Sequence, residues 1–574
     1  MNSSKSVAMT VGLVALGVAS GVAVWQRSGG GTATAGLLDR IPADATIAVL
    51  VPSHRKAIDQ VLVLRDRFRQ GIPAVDAVLD EGSRRAGFDV TRPESMRELG
   101  FDPDGGTAFA AGPDWTAIWL AVSDRAAFER FLADRTQREA GDELEWISKS
   151  HGGIDAKALS TKGDEPEVVL ALAFDRGYAV VAANKTMLGE PADPVELLGR
   201  LTGVKAEAAL GARPAVASAM RRMGESPAAV AWMDLRAATD VAAEVATERK
   251  RGRDAEALGR LRGYVNGLMV GLSVGATGVR MPVFAGIAPE KLAEIKAAFT
   301  PKAGGPDYGK VVPSDGTLLL SLASNPNGLV DWLRQILLDR ERKALDDALA
   351  DTKAQTGIDV EADMLASLSG HVGFVFHTLD LRQVGQGLLR KLDPQAAAAA
   401  VVEKTAAVDT STWIGLSDPA KIEQLVREGV EKLKAGESAW TVEETPGKPE
   451  WRLVRDEVET AGFAIVGNTL VFTTGTGRLA KVQASLAGDG KAALASSVSV
   501  PDGQRGLSPA NNLSLFLSVP ILFKNFPILN LISVVKPLKA VGEVVARLEL
   551  EADGVEGELL VTLQPPPKPE GKAP

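Results

Sequence analysis

Residues 41–51 read IPADATIAVLV, and residues 312–322 read VPSDGTLLLSL. In both stretches a Pro-x-Asp-x-Thr turn comes directly before an apolar run, which is the pattern of a turn that leads into a β-strand. The same signature therefore occurs once in each half of the chain. Repetition on this scale predicts one structural unit that is present in two tandem copies.

Further signatures recur in the same order in the two halves. Residues 87–90 (GFDV) match residues 357–360 (GIDV). Asp124 and Asp418 each follow an apolar run and a serine, and each opens an amphipathic stretch of helical spacing. An aspartate at that position accepts hydrogen bonds from the free amides of the first helical turn, so both are predicted to be N-caps.

Five tryptophans belong to the same comparison. Trp119 and Trp413 occupy equivalent strand positions, and Trp146 and Trp440 follow them at equal spacing. These four and Trp115 suggest a platform on which sugars could stack, but large aromatic side chains also stabilise β-sheet surfaces and cores. Their repetition in both halves favours packing in the core or on a sheet face.

The remaining pattern predicts the fold class. Arg176-Gly177 and Gly467-Asn468 each join two apolar strands and suit a tight hairpin turn. Because hairpins dominate each copy, the predicted class is α+β, with a mainly antiparallel sheet and helices packed on one face. The predicted organisation is an N-terminal membrane anchor or signal segment (1–27), a flexible tether (28–36), a first repeat (37–300), a linker (301–311), a second repeat (312–564) and a Pro-rich disordered tail (565–574).

Residues 7–25 form an uncharged apolar run with Lys5 before it and Arg27 behind it. A helix of this length can just span a bilayer core of about 30 Å. The favoured expectation is an uncleaved single-pass anchor in the bacterial inner membrane, with the bulk of the chain in the periplasm. The alternative is a signal peptide that is cleaved after residues 33–35 (ATA), which would release the protein into the periplasm.

Composition excludes several classes of function. The chain has 64 Lys and Arg residues against 73 Asp and Glu residues, and a net charge of −9 disfavours binding to nucleic acid. It contains no cysteine, which excludes disulfides, thiolate metal sites and a cysteine nucleophile. The oligomeric state does not follow from the sequence.

The Pro-x-Asp-x-Thr strand entries, the Ser-Asp helix starts and the late hairpins together resemble a family of membrane-anchored or exported bacterial proteins known as domain of unknown function 3352. The resemblance covers residues 41–565. It implies an exported or membrane-anchored protein, and it brings no active site with it.

Candidate motifs for chemistry are weak. His371 and His377 lie in the stretch HVGFVFH, and a strand there would place both on one exposed face, opposite a core face formed by Val372, Phe374 and Phe376. Residues 474–480 (TGTGRLA) resemble a glycine-rich nucleotide loop but end a hairpin, and residues 101–106 (FDPDGG) lack the later ligands of a calcium loop. No catalytic residue, cofactor or metal site is therefore predicted.

Two segments at matched places favour contact with a lipid or a partner protein. Arg249, Lys250 and Arg251 form a basic cluster in an acidic chain. Residues 513–538 are strongly apolar, but prolines and lysines within them disfavour a spanning helix. The residues of this segment predicted to make contacts are Phe516, Ile521, Phe523, Phe526 and Leu529.

The leading functional hypothesis is a membrane-tethered periplasmic protein with a non-catalytic binding or scaffolding role towards another envelope protein. Duplication, a tether and the lack of a catalytic motif motivate it. The alternative is a carrier of a lipid or another hydrophobic ligand that uses residues 513–538. A further alternative is an enzyme with an unrecognised site.

Overall fold

The computed structural model describes most of the chain after the tether. The residues it describes are 36–68, 74–163, 165–184, 192–224, 227–248, 252–275, 277–379, 408–435, 441–455, 458–488, 493–498, 501–526, 529 and 533–564. They combine helices with a large antiparallel sheet, so the α+β class is confirmed at that level. Residues 7–25, the tail and residues 249–251 lie outside these ranges. Within these ranges, no helix has the length and apolar character needed to cross a bilayer.

The chain divides into two compact units. The first comprises residues 1–288 and 553–556, and the second comprises residues 289–552 and 557–574. The helix Pro289–Phe299 therefore clusters with the second unit. Residues 301–311, the predicted linker, contain the helix Tyr308–Val311, and the Tyr308 side chain is buried.

Ten strands form the described sheet of the first unit. They are β1 Ile47–Val51, β2 Thr107–Ala111, β3 Thr116–Ala121, β4 Leu144–His151, β5 Ile154–Thr161, β6 Val168–Asp175, β7 Tyr178–Ala183, β8 Ala229–Met233, β9 Val265–Gly275 and β10 Gly278–Ile287. Their order across the sheet is β4-β5-β6-β7-β3-β2-β1-β8-β9-β10, and every neighbouring pair is antiparallel.

The second unit has ten described strands as well. They are β11 Leu318–Ala323, β12 Leu368–Leu379, β13 Val408–Leu416, β14 Thr441–Glu444, β15 Glu450–Arg455, β16 Val458–Val466, β17 Thr469–Thr474, β18 Leu513–Ser518, β19 Val541–Leu550 and β20 Gly554–Leu563. Their order is β14-β15-β16-β17-β13-β12-β11-β18-β19-β20. Adding ten to each strand number of the first unit gives the same order.

Fifteen α-helices are described along the chain. They are α1 His54–Phe68, α2 Ala74–Ala86, α3 Pro93–Glu98, α4 Arg125–Ala140, α5 Pro194–Leu201, α6 Pro214–Arg222, α7 Leu235–Glu248, α8 Gly252–Arg262, α9 Pro289–Phe299, α10 Tyr308–Val311, α11 Pro326–Ile336, α12 Asp339–Thr356, α13 Pro419–Ala435, α14 Arg478–Leu486 and α15 Val519–Asn525.

The predicted helix starts are confirmed. The Asp124 carboxylate accepts a hydrogen bond from the Ala127 amide at 3.0 Å, and the Asp418 carboxylate accepts one from the Lys421 amide at 3.0 Å. Each aspartate therefore satisfies one of the amides that a helix leaves free at its N-terminus. Because both follow the third strand of their unit, α4 and α13 occupy the same place in the two folds.

The tryptophan and hairpin predictions also hold within the described ranges. Trp115, Trp119 and Trp413 are buried, which confirms core packing for these three. Trp146 is partly buried against the core, and Trp440 lies outside the described residues. Both predicted turns join paired strands, β6 to β7 and β16 to β17.

The first unit buries both faces of its sheet. Successive residues of β3 alternate between two buried clusters, so Trp119 belongs to one and Ile118 to the other. Leu198 of α5 lies in the first cluster, and Phe128 and Phe131 of α4 lie in the second. The prediction of helices on a single face is therefore wrong for this unit, because α4 and α5 pack on opposite sides.

Candidate functional site

The inward and outward residues of β12 are the reverse of the sequence prediction. His371, Val375 and His377 are buried, whereas Val372 and Phe374 are exposed. Periodicity favours Val372, Phe374 and Phe376 as the inward face, and contacts with distant segments override it. The histidines turn inward because they find polar partners there: His371 Nε2 lies 2.9 Å from the Ala303 carbonyl oxygen, and His377 contacts Asp315.

Strand register extends this outward apolar surface across the second unit. Directly paired residues lie on the same face of a sheet. Leu320 pairs with Phe374, Phe374 pairs with Thr412, and Thr412 pairs with Phe472. In the adjacent row Leu322 pairs with both Val372 and Leu513, and Leu513 pairs with Leu548. We call the exposed members of these rows the apolar face: Leu320, Val372, Phe374, Phe472, Leu513 and Leu548, which are 37–44% exposed.

The buried face of the same strands also carries polar side chains. Besides the two histidines, it buries the side chains of Ser321, Ser411, Ser514, Thr473 and Glu543. Strands with one solvated face normally place polar residues outwards and apolar residues inwards. The second unit departs from that pattern, because its central strands carry an apolar core on the buried face and further apolar side chains on the exposed face.

Helix α13 covers the apolar face only at one margin. Ile422, Leu425 and Val426 of this helix pack against Ile414 and Leu470. In the first unit α4 occupies the same place and carries Phe128 and Phe131, which pack over Ile118 and Leu120. Replacing two aromatic rings by Ile422 and Leu425 leaves less side-chain volume above the sheet.

The apolar segment 513–538 contributes to both sides of this sheet. Phe516 is buried on β18 in the core, and Ile521 joins the same cluster together with Val545. On β18, Leu513, Leu515 and Leu517 lie on the opposite face from Phe516. Phe516 and Ile521 are therefore buried in the core, and their predicted contacts with a lipid or a partner remain predictions.

The other aromatic residues of the segment lie at the edge of the apolar face. The Phe526 ring stacks on Phe376 with centroids 6.2 Å apart and planes 7° apart. Phe523 is partly buried, and Lys539 Nζ lies 5.8 Å from the centroid of its ring. Leu529 is partly buried as well. Arg249, Lys250 and Arg251 lie outside the described residues, so their predicted contacts remain predictions.

A cluster of charged side chains around the buried Arg478 lies in the second unit. Arg478, which is 1% exposed, donates to both oxygens of Asp315 at 2.9 and 3.0 Å, and its Nε donates to Asp409 at 2.6 Å. Burial alone would raise the pKa of Asp315, but hydrogen bonds from His377 and Arg478 hold it well below its usual range. Arg478 is the first residue of α14, so the stretch 474–480 serves as the turn from β17 into this helix.

His377 links this cluster to the core. Its Nδ1 lies 3.1 Å from Asp315 Oδ1, its Nε2 lies 3.0 Å from Ser411 Oγ, and Trp413 Nε1 donates to the same Ser411 Oγ at 3.0 Å. The order Asp, His, Ser is that of a nucleophilic triad. His377 and Ser411 are both 0% exposed, however, so no substrate carbonyl can reach the hydroxyl group in this structure. The group orders the core.

The first unit carries a matching arrangement near its surface. Arg200 of α5 donates to Asp114 at 2.5 Å and to Asp44 at 3.0 Å, and Trp115 Nε1 donates to Asp44 at 3.2 Å. Asp44 occupies the same place in its Pro-x-Asp-x-Thr turn as Asp315. We call each arginine with its two carboxylates an Asp–Arg–Asp clamp. All three side chains of the clamp are about half-exposed in the first unit, whereas in the second the arginine is buried and its two carboxylates are partly exposed.

Other polar groups of the described residues offer little for chemistry. A cavity of about 410 Å³ in the first unit is bordered by Arg125, Lys149 and Lys157, but Arg125 and Lys157 are both paired with Glu129. In the predicted turn 101–106, Asp104 is paired with Arg55 at 2.6 Å. Within the described ranges, no three His, Asp or Glu side chains are placed to hold a metal ion.

Comparisons with known proteins add little. No protein-family model and no curated protein matches the sequence. Three crystal forms of TP0453 are among the solved structures found. Form IV has a TM-score of 0.22 and 9% identity over 46% of this chain and 84% of that chain, and form III has 0.22 and 8% over 44% and 79%. Form I has 0.21 and 7% over 43% and 77%. Similarity this low carries no argument, and the resemblance to domain of unknown function 3352 stays a prediction.

Proposed function

We propose that this protein is a non-catalytic binding protein of the bacterial envelope, tethered to the inner membrane by residues 7–25, with two diverged copies of one α+β unit in the periplasm. Its binding surface is the apolar face of the second unit. The apolar run near the N-terminus and the matched signatures support the tether and the duplication. The shared strand order of the two units supports the duplication as well.

The exposed apolar face of the second unit is the observation that carries the binding role. Exposed apolar surface costs roughly 25 cal/mol for each Å² left in water. Contiguous apolar patches on a folded protein usually mark a site of interaction. Leu320, Phe374 and Phe472 lie in one row of paired residues and remain exposed in the described structure. A partner that covers them would recover this free energy.

Site-specific photocrosslinking in intact cells tests the binding surface. A benzophenone amino acid is placed at Leu320 or Phe374 of the full-length protein, and at Val63 as a control, because Val63 of α1 is equally exposed at 38%. We expect one defined adduct from the two positions on the apolar face and none from Val63. No adduct, or the same adducts from all three positions, would refute the proposal.

The identity of the crosslinked molecule distinguishes a lipid carrier from a scaffolding protein. A lipid supports a carrier of hydrophobic ligands. A single protein partner supports scaffolding, provided that the adduct disappears when Leu320→Asp is introduced beside the crosslinker at Phe374.

The tether makes a separate prediction. Protein isolated from the membrane fraction should retain residues 7–25 and resist extraction at alkaline pH, because an apolar run of this length is held in the bilayer. Mass spectrometry of the intact protein measures this. A mature protein that begins at Gly36 would instead establish the cleaved alternative.

A further inference from the structure

We infer that the apolar face accommodates an acyl chain of an anionic phospholipid, whose headgroup is held near Lys524 and Lys539. This inference rests on the proposed binding role and names the chemistry of the ligand.

The apolar face has the dimensions that an acyl chain requires. Its rows cross the six strands β19, β18, β11, β12, β13 and β17. Five intervals of roughly 4.8 Å give a width of about 24 Å. One leaflet occupies half of a bilayer core, about 15 Å. A chain of that length can therefore lie along one row.

The surface is suited to hydrocarbon because it offers few polar groups. The row from Leu515 through Leu320, Phe374 and Phe472 contains one polar member, Thr412. All four inner strands of the face are paired on both sides, so their backbone amides and carbonyls are used within the sheet. Hydrocarbon can thus cover the row without leaving backbone groups unsatisfied.

Two exposed lysines, Lys524 and Lys539, lie on either side of Phe526 in the sequence. Phe526 stacks on Phe376, and Lys524 is exposed two residues before Phe526. Lys539 is exposed as well and lies against the ring of Phe523. The structure records no ion pair for Lys524 or Lys539 with any described residue, whereas the nearby Asp315 is engaged by Arg478. Exposed lysines next to aromatic side chains match the headgroup and chain of an anionic lipid.

A lipid fits these borders better than a protein does. A protein interface surrounds its apolar centre with a polar rim that forms hydrogen bonds. The described borders here are the stacked rings of Phe376 and Phe526 and the apolar side of α13, and an exposed lysine lies against the ring of Phe523.

Native mass spectrometry of the full-length protein in mild detergent provides the test. The probes are phosphatidylglycerol, which is anionic, and phosphatidylcholine, which is zwitterionic. We expect one phosphatidylglycerol per chain, bound about 30-fold more tightly than phosphatidylcholine, which is the preference expected for two lysines next to an anionic headgroup.

Three variants assign the parts of the site. Lys524→Ala with Lys539→Ala should remove the preference for phosphatidylglycerol but keep binding of the chain. Leu320→Asp should weaken both lipids at least tenfold, and Val63→Asp should match the wild type. Circular dichroism and the melting temperature establish that each variant is folded.

The possible failures are distinguishable. If wild-type protein binds the two lipids equally, or if Leu320→Asp leaves binding unchanged, the inference is wrong. A defined protein adduct at Phe374 without lipid binding would overturn the lipid inference and leave the proposed binding role intact. No adduct and no lipid would overturn both.

Discussion

Arg200 and Arg478 make the same kind of contact in two different environments. Each guanidinium group joins two carboxylates, but Arg478 is buried whereas Arg200 is about half-exposed. Exposed ion pairs contribute little because water and salt screen them. Removing one partner of a buried pair leaves charges that are neither solvated nor compensated. The same substitution should therefore have very different effects in the two units.

Arg478→Leu is expected to lower the free energy of unfolding of the second unit by about 2 kcal/mol, because Asp315 and Asp409 lose their common partner but remain partly solvated. Arg200→Leu, the matched control, should cost less than about 1 kcal/mol. Urea denaturation followed by circular dichroism measures both. Equal losses in the two variants would contradict the difference in burial.

At this scale the sequence revealed residue types but not their environments. Asp44 and Asp315 were visible as members of a repeated turn, yet nothing in the sequence showed that an arginine 156 or 163 residues away contacts them. The periodicity predicted the wrong face for His371 and His377, because the face with Val372 and Phe374 is the more apolar one and yet is the face that turns outward. Hydrogen-bond partners from distant segments decided their orientation.

Single elements followed their local signals closely. The first turn of a helix needs acceptors for its amides, and that requirement is met by residues adjacent in sequence. Helices α4 and α13 therefore begin where Asp124 and Asp418 predicted. The hairpin turns at 176–177 and 467–468 were also predictable, because each depends on two residues that adopt positive φ or tolerate it.

Loss of either N-cap should have a small and equal effect. Asp124→Ala and Asp418→Ala are each expected to destabilise their unit by about 1 kcal/mol, because one helical amide loses its acceptor. Asp134→Ala is the control, since Asp134 is an exposed residue in the interior of α4. Urea midpoints measure the difference. An Asp134→Ala variant as destabilised as Asp124→Ala would show that capping is not the cause.

For the whole molecule, the repeated sequence signatures were a better guide to the strand order than to the boundary between the two units. Matched turns, caps and tryptophans agree with the identical order of the described strands in the two units. The division between the compact units at residues 288 and 289 has no local signal, since Pro289–Phe299 is an ordinary amphipathic helix. The apolar face was not predictable, because it depends on how much volume α13 brings to a surface formed by distant strands.

Buried histidines should make the stability of the molecule depend on pH. Burial lowers the pKa of His54, His371 and His377, and that of His54 to about 4. The unfolded chain binds these protons near pH 6.5, where the folded chain does not, so stability is lost as the pH falls below 6.5. For His54 alone the loss between pH 6.5 and 4 is about 3 kcal/mol.

Urea unfolding at pH 7.5, 5.5 and 4.5 measures this dependence. His54→Gln should reduce the change in the unfolding free energy of the first unit with pH, because glutamine does not titrate. Glutamine keeps a polar contact to Thr107, which lies 2.9 Å from His54 Nε2. Changes in the second unit should persist in this variant, since His371 and His377 remain. Stability independent of pH over this range in the wild type would contradict the prediction.

The Asp–Arg–Asp clamps can form only late in the synthesis of each unit. A ribosome releases Asp44 156 residues before Arg200, and Asp315 163 residues before Arg478. Contacts between residues so distant in sequence close late, because the entropy of a long loop must be lost before the contact forms. In each unit the arginine arrives only after seven of the ten strands have been made. The turn at the start of each unit is therefore stabilised by an arginine that is synthesised much later. In a truncated nascent chain, the aspartate of that turn would lack its arginine partner.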